Sequence, residues 1–149
     1  MNQKIKQLET VLKVEDRKVL SALAKYNELS NQHKTQELQC EQLIEYSKDY
    51  RKKTTAVNQQ PMTVQILQTY THFIAKLDIA IDEQKVKVKQ SKILSDQHFS
   101  QYLATKQKAE AIQRLIDVEY EYENILDKRQ EQKNNDETAS TQWYSRCKN

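Results

Sequence analysis

The 149-residue chain contains no glycine and only one proline, Pro61. Ordinary usage would supply roughly ten glycines and seven prolines in a chain of this length. Glycine is the usual residue where a turn or a helix C-cap needs a positive φ, and proline interrupts helices. Their scarcity excludes folds with many tight turns, and it excludes glycine-rich phosphate loops. The chain is therefore predicted to be all-α, with two very long helices and one bend.

Long apolar runs and closely spaced cysteines are also missing. No apolar run approaches the ~18–20 residues of a membrane span, and the N-terminus lacks the apolar stretch of a secretory signal. We therefore expect a cytoplasmic protein with no direct membrane insertion. Cys40 and Cys147 fit no metal or redox spacing and are expected to be free thiols.

The charge balance gives little support for a nucleic-acid partner. The 24 basic and 21 acidic residues leave a formal net charge of +3, without the concentrated basic face that nucleic-acid binding needs. Hydrophobic residues make up 37% of the chain, which suffices for a narrow seam between two helices but not for a broad core. Disorder is the other interpretation of so polar a composition, and the regular spacing of Leu, Ile and Val argues against it.

Between residues 5 and 50, mainly apolar residues recur at alternating steps of three and four, which is typical of the helix–helix seam of a coiled coil. Ten of the fourteen positions are apolar, and His33 with Gln36 is expected to form a loose or polar layer. The positions are Ile5, Leu8, Leu12, Glu15, Val19, Ala22, Tyr26, Leu29, His33, Gln36, Cys40, Leu43, Ser47 and Tyr50.

The segment 54–62, which contains Pro61, is the one convincing turn. The sequence thus predicts an antiparallel coiled-coil hairpin over residues 1–133, with helix one over about 4–53 and helix two over about 62–133. Because helix two is longer, we expect it to extend past the N-terminus by around 20 residues, roughly 30 Å. Residues 134–149 lose the seam pattern and are expected to be a frayed or disordered tail.

No catalytic or metal-binding constellation is recognisable, so we expect no enzyme activity, no metal and no cofactor. None of the histidines has the Glu-x-x-His spacing of di-iron bundles or the His-Glu-x-x-His spacing of zinc sites. They are His33, His72 and His98. The carboxylates between Asp117 and Asp127 spread around a helix and are interpreted as a solvated surface.

Two rows with the same spacing of four, three and four are the candidate partner-binding residues. The rows are Gln39, Leu43, Tyr46 and Tyr50 on helix one, and Phe73, Leu77, Ala80 and Gln84 on helix two. A bend near residues 57–61 would place Tyr46 level with His72. The plainer interpretation is that Leu43, Tyr50, Phe73 and Leu77 are simply seam residues. Against it, Tyr46 and a phenylalanine beside the seam are expected to remain partly exposed, as in binding hot spots.

At these residues the chain resembles the FliJ family of the bacterial flagellar export apparatus. The similarity lies in Leu-x-x-Tyr-x-x-x-Tyr from Leu43 to Tyr50, the single turn, and Phe-x-x-x-Leu-x-x-Ala from Phe73 to Ala80. The segment EQKNNDETA, residues 131–139, is similar to the acidic ending of that family.

The resemblance implies a non-enzymatic central stalk with three partners: a hexameric export ATPase, the cytoplasmic part of an export-gate membrane protein, and export chaperones. It implies that the two rows contact the gate and that the terminal end of the hairpin engages the ATPase. The expected location is peripheral, at the cytoplasmic face of the inner membrane.

Other functions remain open from the residues alone. The stalk protein of an injectisome type III secretion system has a similar shape and length. A generic coiled-coil tether or dimeric scaffold would pair its helices between chains. A nucleic-acid-binding helical arm would use basic residues near the bend, namely Lys48, Arg51, Lys52 and Lys53.

Overall fold

The computed structural model describes residues 2–56 and 63–148. They form two helices, α1 over Gln3–Ala56 and α2 over Val64–Cys147, and the described residues include no strand. Neither helix contains glycine or proline, and no described residue has a positive φ. Ion pairs and ring contacts join residues of α1 to residues of α2 far away in sequence. The predicted all-α helical hairpin is confirmed.

Most of the predicted bend over residues 54–62, including Pro61, lies outside the described residues. Thr54 and Thr55 belong to α1, where their hydroxyls donate to the carbonyls of Tyr50 and Arg51 at 2.7 and 2.9 Å. α1 therefore continues past the predicted end at residue 53. At the start of α2, Thr63 Oγ1 accepts a hydrogen bond from the Ile66 amide at 3.4 Å, which is an N-cap contact.

The chain divides into two compact units, each built from both helices. Unit 1 joins Met1–Val19 to Ala104–Asn149. Its seam is mainly apolar, and its buried hydrophobic residues are Ile5, Ala109, Ile112 and Ile116. Glu15 is the exception, because its carboxylate is buried between Lys18 Nζ at 3.3 Å and Lys108 Nζ at 3.5 Å.

Unit 2 spans Leu20–Leu103, and its seam alternates apolar and polar layers. Its buried hydrophobic residues are Leu29, Cys40, Leu77 and Ile81, and its buried polar residues are Ser47, Gln84 and Ser95. The predicted polar layer is present, because His33 Nδ1 lies 2.9 Å from Ser91 Oγ and Gln84 Nε2 donates to Gln36 Oε1 at 2.7 Å.

The register within unit 2 differs from the predicted one. Tyr50 lies against Phe73, with ring centroids 4.6 Å apart, so Tyr46, about one turn earlier on α1, lies about one turn beyond Phe73 on α2 instead of level with His72. The helix ends account for part of this shift, because α1 runs on to Ala56 and α2 begins only at Val64.

The C-terminal part of α2 in unit 1 extends beyond its pairing with α1. Glu119 contacts Lys4 at 2.9 Å, and every described residue after Glu123 is exposed. Residues 124–147 thus form about 36 Å of uncovered helix, in agreement with the predicted extension. α2 continues past the predicted end at residue 133, because nothing in residues 134–147 interrupts the helix. Within this stretch Thr138 donates to the Asn134 carbonyl at 2.9 Å. The separation of residues 134–149 from the hairpin as a distinct tail stays a prediction.

Candidate partner-binding site

An aromatic cluster lies at the end of unit 2 where α1 ends and α2 begins. The Tyr50 ring lies 4.6 Å from Phe73 and 5.8 Å from Tyr70, at interplanar angles of 55° and 51°. Such tilted contacts suit the quadrupoles of the rings. The ammonium of Lys53 lies 5.2 Å from the Tyr50 centroid, within the range of a cation–π contact. The cluster is therefore ordered by contacts between its own side chains.

The two edges of the helix pair in unit 2 can be told apart by their contacts. Arg51 and Asp78 directly follow the seam residues Tyr50 and Leu77. Arg51 Nη2 donates to Oδ1 and Oδ2 of Asp78, at 2.9 and 2.7 Å. This pair marks one edge. Residues that directly precede seam positions mark the other edge, which we call the aromatic edge. They are Gln39, Tyr46, Phe73 and Ala80, before Cys40, Ser47, Ile74 and Ile81.

The predicted site residues differ in how far they reach the surface of unit 2. Tyr46 is 60% exposed and Phe73 is 41% exposed, which confirms that both remain partly accessible. Three of the eight are exposed, namely Gln39, Tyr46 and Phe73; three are half-buried, namely Leu43, Tyr50 and Ala80; and two are buried, namely Leu77 and Gln84.

The two buried members hold the helices together. Gln84 Nε2 donates to the backbone carbonyl and to the side-chain oxygen of Gln36, at 3.0 and 2.7 Å. Leu77 is 9% exposed. The structure thus brings six predicted residues to the surface of one helix pair and places the other two beneath them.

Two further residues belong to the cluster and were not among the predicted site residues. Tyr70 contacts Tyr50, and Ile66 joins Tyr50, Tyr70 and Phe73 in lining a shallow cavity of about 390 Å³. Their spacing was a usable signal, because residues 66, 70 and 73 lie at steps of four and three along one face of α2.

Beside the aromatic edge, α1 carries an acidic row. A groove there is lined by two exposed apolar side chains and by polar and acidic ones, namely Leu38, Glu41, Gln42, Glu45, Tyr46 and Asp49. Glu37 pairs with His33 Nε2 at 2.8 Å. Within the part of the chain that the structure describes, Glu41, Glu45 and Asp49 form no ion pair. Close to Tyr46, the row therefore places three carboxylates without ion pairs among the described residues.

Two of the four basic residues near the bend are engaged by other side chains of the protein. Arg51 is held by Asp78, and Lys53 lies over the Tyr50 ring. Acidic residues of the row, Glu45 and Asp49, lie within one turn of Lys48. This arrangement weakens the interpretation of the bend as a nucleic-acid-binding arm, because phosphate contacts need unpaired cations on a common surface.

The described residues offer no evident reactive centre. None of their His, Cys, Asp and Glu side chains gather in groups of three or more that could hold a metal ion. A hydrogen bond from Tyr120 to the Glu9 carboxylate at 3.0 Å raises the pKa of Tyr120, and the negative charge of Glu9 adds to the effect. Neither described helix is long and apolar enough to span a bilayer.

The family assignment comes from comparison with known proteins. The curated proteins and the solved structures gave no significant match. The family model described as "Flagellar FliJ protein" matches residues 3–148, nearly the whole chain. The match covers both helices and both units, and it agrees with the resemblance carried by the aromatic rows. The chain therefore belongs to the FliJ family, a family of structural, non-enzymatic components of the flagellar export apparatus.

Proposed function

We propose that the protein is a non-enzymatic central stalk of the flagellar export apparatus. In this role it promotes the assembly and activity of a hexameric export ATPase, contacts the cytoplasmic part of the export gate, and handles export chaperones. Its place is peripheral, at the cytoplasmic face of the inner membrane. The observation that carries the proposal is the aromatic edge of unit 2, where the partly exposed Phe73 ring packs against Tyr50 and Tyr46 is also exposed.

The gate contact is assigned to the aromatic edge and the residues beside it. Tyr46 and Phe73 supply large, partly exposed rings, and Gln39 supplies a polar rim. Leu43, Tyr50 and Ala80 are half-buried and form the floor. Leu77 and Gln84 act indirectly, by fixing the distance between the helices. Aromatic anchors surrounded by polar groups are typical of residues that dominate binding energy.

The ATPase contact is assigned to unit 1, which contains the uncovered C-terminal part of α2. The residues from Asn124 to Lys148 are exposed and can contact a surrounding ring of ATPase subunits. A polar helix without a partner in its own chain is suited to bridging to another protein. The chaperone contact is not assigned to particular residues.

One pair of binding assays tests the gate and ATPase assignments separately. Tyr46→Ala, alone and with Phe73→Ala, is expected to weaken binding to the cytoplasmic part of the gate on the order of tenfold. The same variants are expected to keep full stimulation of ATP hydrolysis by the cognate hexameric ATPase. Ile79→Ala is the matched control, because Ile79 is 61% exposed and lies away from the aromatic edge.

Three results would contradict the proposal. The first is a lack of ATPase stimulation by the wild-type chain. The second is equal gate binding by Tyr46→Ala and wild type. The third is a large fall in the melting temperature of Tyr46→Ala together with its loss of binding, because that would identify Tyr46 as a core residue.

The alternative functions predict different partners or masses. A stalk of an injectisome would stimulate an injectisome ATPase in preference to a flagellar one. A dimeric tether would sediment as an obligate dimer at all concentrations, whereas the hairpin requires only one chain. A nucleic-acid arm would bind RNA with a steep dependence on salt.

A further inference from the structure

Unit 1 carries its own set of exposed apolar side chains. They come from both helices, and each is close to half exposed or more, between 45% and 60%. We call this set the valine face; it consists of Val11, Val14, Leu115, Val118 and Tyr122. Large exposed apolar side chains grouped on one surface of a charged protein are typical of an interaction site.

The contacts of Glu15 show that these side chains share one edge of unit 1. Lys18 on α1 and Lys108 on α2 both reach the same oxygen, Glu15 Oε1. Starting from Lys18, two turns toward the N-terminus lead to Val11. Starting from Lys108, two turns toward the C-terminus lead to Leu115. Because the helices are antiparallel, both steps go in the same direction, so Val11 and Leu115 lie side by side.

The opposite edge is identified independently. Tyr120 donates a hydrogen bond of 3.0 Å to the Glu9 carboxylate. Glu9 directly follows the seam residue Leu8, and Tyr120 directly follows the seam residue Glu119. Members of the valine face instead precede seam positions, as Val11 precedes Leu12 and Leu115 precedes Ile116. Val118 and Tyr122 follow Leu115 at steps of three and four and continue the same face along α2.

The rim of the valine face is basic. Lys18 and Lys108 close one end and share a single carboxylate between them. Arg17 lies one turn from Val14, and Arg114 lies one turn from Val118. Arg114 Nε donates only to the Glu110 carbonyl, at 3.4 Å, and neither arginine forms an ion pair within the described ranges 2–56 and 63–148. Glu121 is the acidic residue on this rim, so positive charge predominates.

From the apolar surface and its basic rim, we infer that the valine face binds an amphipathic helix of another protein, with an apolar stripe flanked by carboxylates. The apolar stripe would lie along the shallow groove between α1 and α2, and the carboxylates would meet Arg17, Lys18, Lys108 and Arg114. This is recognition of a helix by a hydrophobic groove, with charge setting the preference for an acidic partner. The inference uses unit 1 alone and is independent of the gate contact.

Two synthetic peptides test it with the full chain. The first is a helix of about 20 residues, about 30 Å long, with leucines along one stripe and glutamates on both flanks. In the second, lysine replaces each glutamate. Fluorescence anisotropy is expected to show binding of the glutamate peptide only, and binding is expected to weaken as salt is raised.

Substitutions then locate the binding surface. The double variant Leu115→Ser, Val118→Ser is expected to lose affinity on the order of tenfold, with a melting temperature close to that of wild type because both side chains are exposed. Ile79→Ser with Val86→Ser is the matched control, at 61% and 54% exposed, and it keeps full binding. Tyr46→Ala with Phe73→Ala also keeps it, which separates this site from the aromatic edge.

Each remaining outcome overturns the inference. One is the absence of glutamate-peptide binding, and another is equal binding of both peptides. A third is equal loss in the control variant. A fourth is a wild-type dimer in sedimentation that the Leu115→Ser, Val118→Ser variant converts to monomer, since a second copy of the chain would then cover the face.

Discussion

The seams of the two units are built differently. In unit 1 the buried hydrophobic residues include three isoleucines, and one buried acid, Glu15, interrupts them. In unit 2 the buried residues include Ser47, Gln84 and Ser95, and paired polar side chains cross between the helices. An apolar seam gains its stability from burial and tolerates changes of register, whereas hydrogen-bonded layers are satisfied in one register only. Unit 1 thus relies more on burial, and unit 2 on matched polar pairs.

The largest effect is expected from truncating the apolar seam of unit 1. Ile116 is 3% exposed, so Ile116→Ala removes buried methyl groups and leaves a cavity. The expected loss in free energy of unfolding is about 2–5 kcal/mol, measured by urea denaturation with far-ultraviolet circular dichroism. Leu115→Ala is the control, because its side chain is 55% exposed and its loss should be small. Equal losses in the two variants would show that burial does not dominate unit 1.

A smaller loss is expected from breaking the glutamine layer of unit 2. Gln84→Ala leaves the Gln36 side chain without its partner in the seam, at a cost of about 1–3 kcal/mol. Replacing both residues by leucine removes both polar groups and should recover most of the stability, while weakening the preference for a single register. Gln42→Ala, at an exposed position, is the control. A double variant less stable than Gln84→Ala would contradict this account.

The smallest effect, and one of opposite sign, is expected at Glu15. Its carboxylate is nearly buried, and its two lysine partners are largely exposed, at 57% and 64%. Glu15→Leu removes the desolvation penalty of the carboxylate and leaves both lysines in water. The free energy of unfolding is therefore expected to stay constant or to rise by about 1 kcal/mol. A fall larger than that, in the same denaturation assay, would mean that the ion pairs outweigh the penalty.

Much of this fold could be predicted from the sequence, because its main determinants are local. The absence of glycine predicts uninterrupted helices, and the alternating three-and-four spacing predicts which face of α1 is buried. Ile5, Leu29 and Cys40 were all predicted seam positions and are buried. The register depends instead on where each helix ends. Spacing does not reveal those ends, which lie at Ala56 and Val64.

The candidate site was predictable in part for the same reason. Tyr46 and Phe73 precede seam positions, so their partial exposure follows from helix geometry. Gln84 was placed in a surface row, but it is buried against Gln36. A polar residue at a seam position is identified as buried only when its partner on the other helix is known. That pairing is known only once the register is known, and the register predicted from the sequence differs from the observed one by about one turn.

The uncovered stretch of α2 from Asn124 to Cys147 makes the length of this protein a function of temperature. Helix formation there needs no new nucleus, because the stretch continues a helix already held by its paired part. Each further residue is gained or lost with an equilibrium constant close to one. Warming is therefore expected to shorten the helix from its C-terminal end, by about 1.5 Å for each residue lost. A partner that binds the C-terminal residues of α2 would therefore favour the longest helical form.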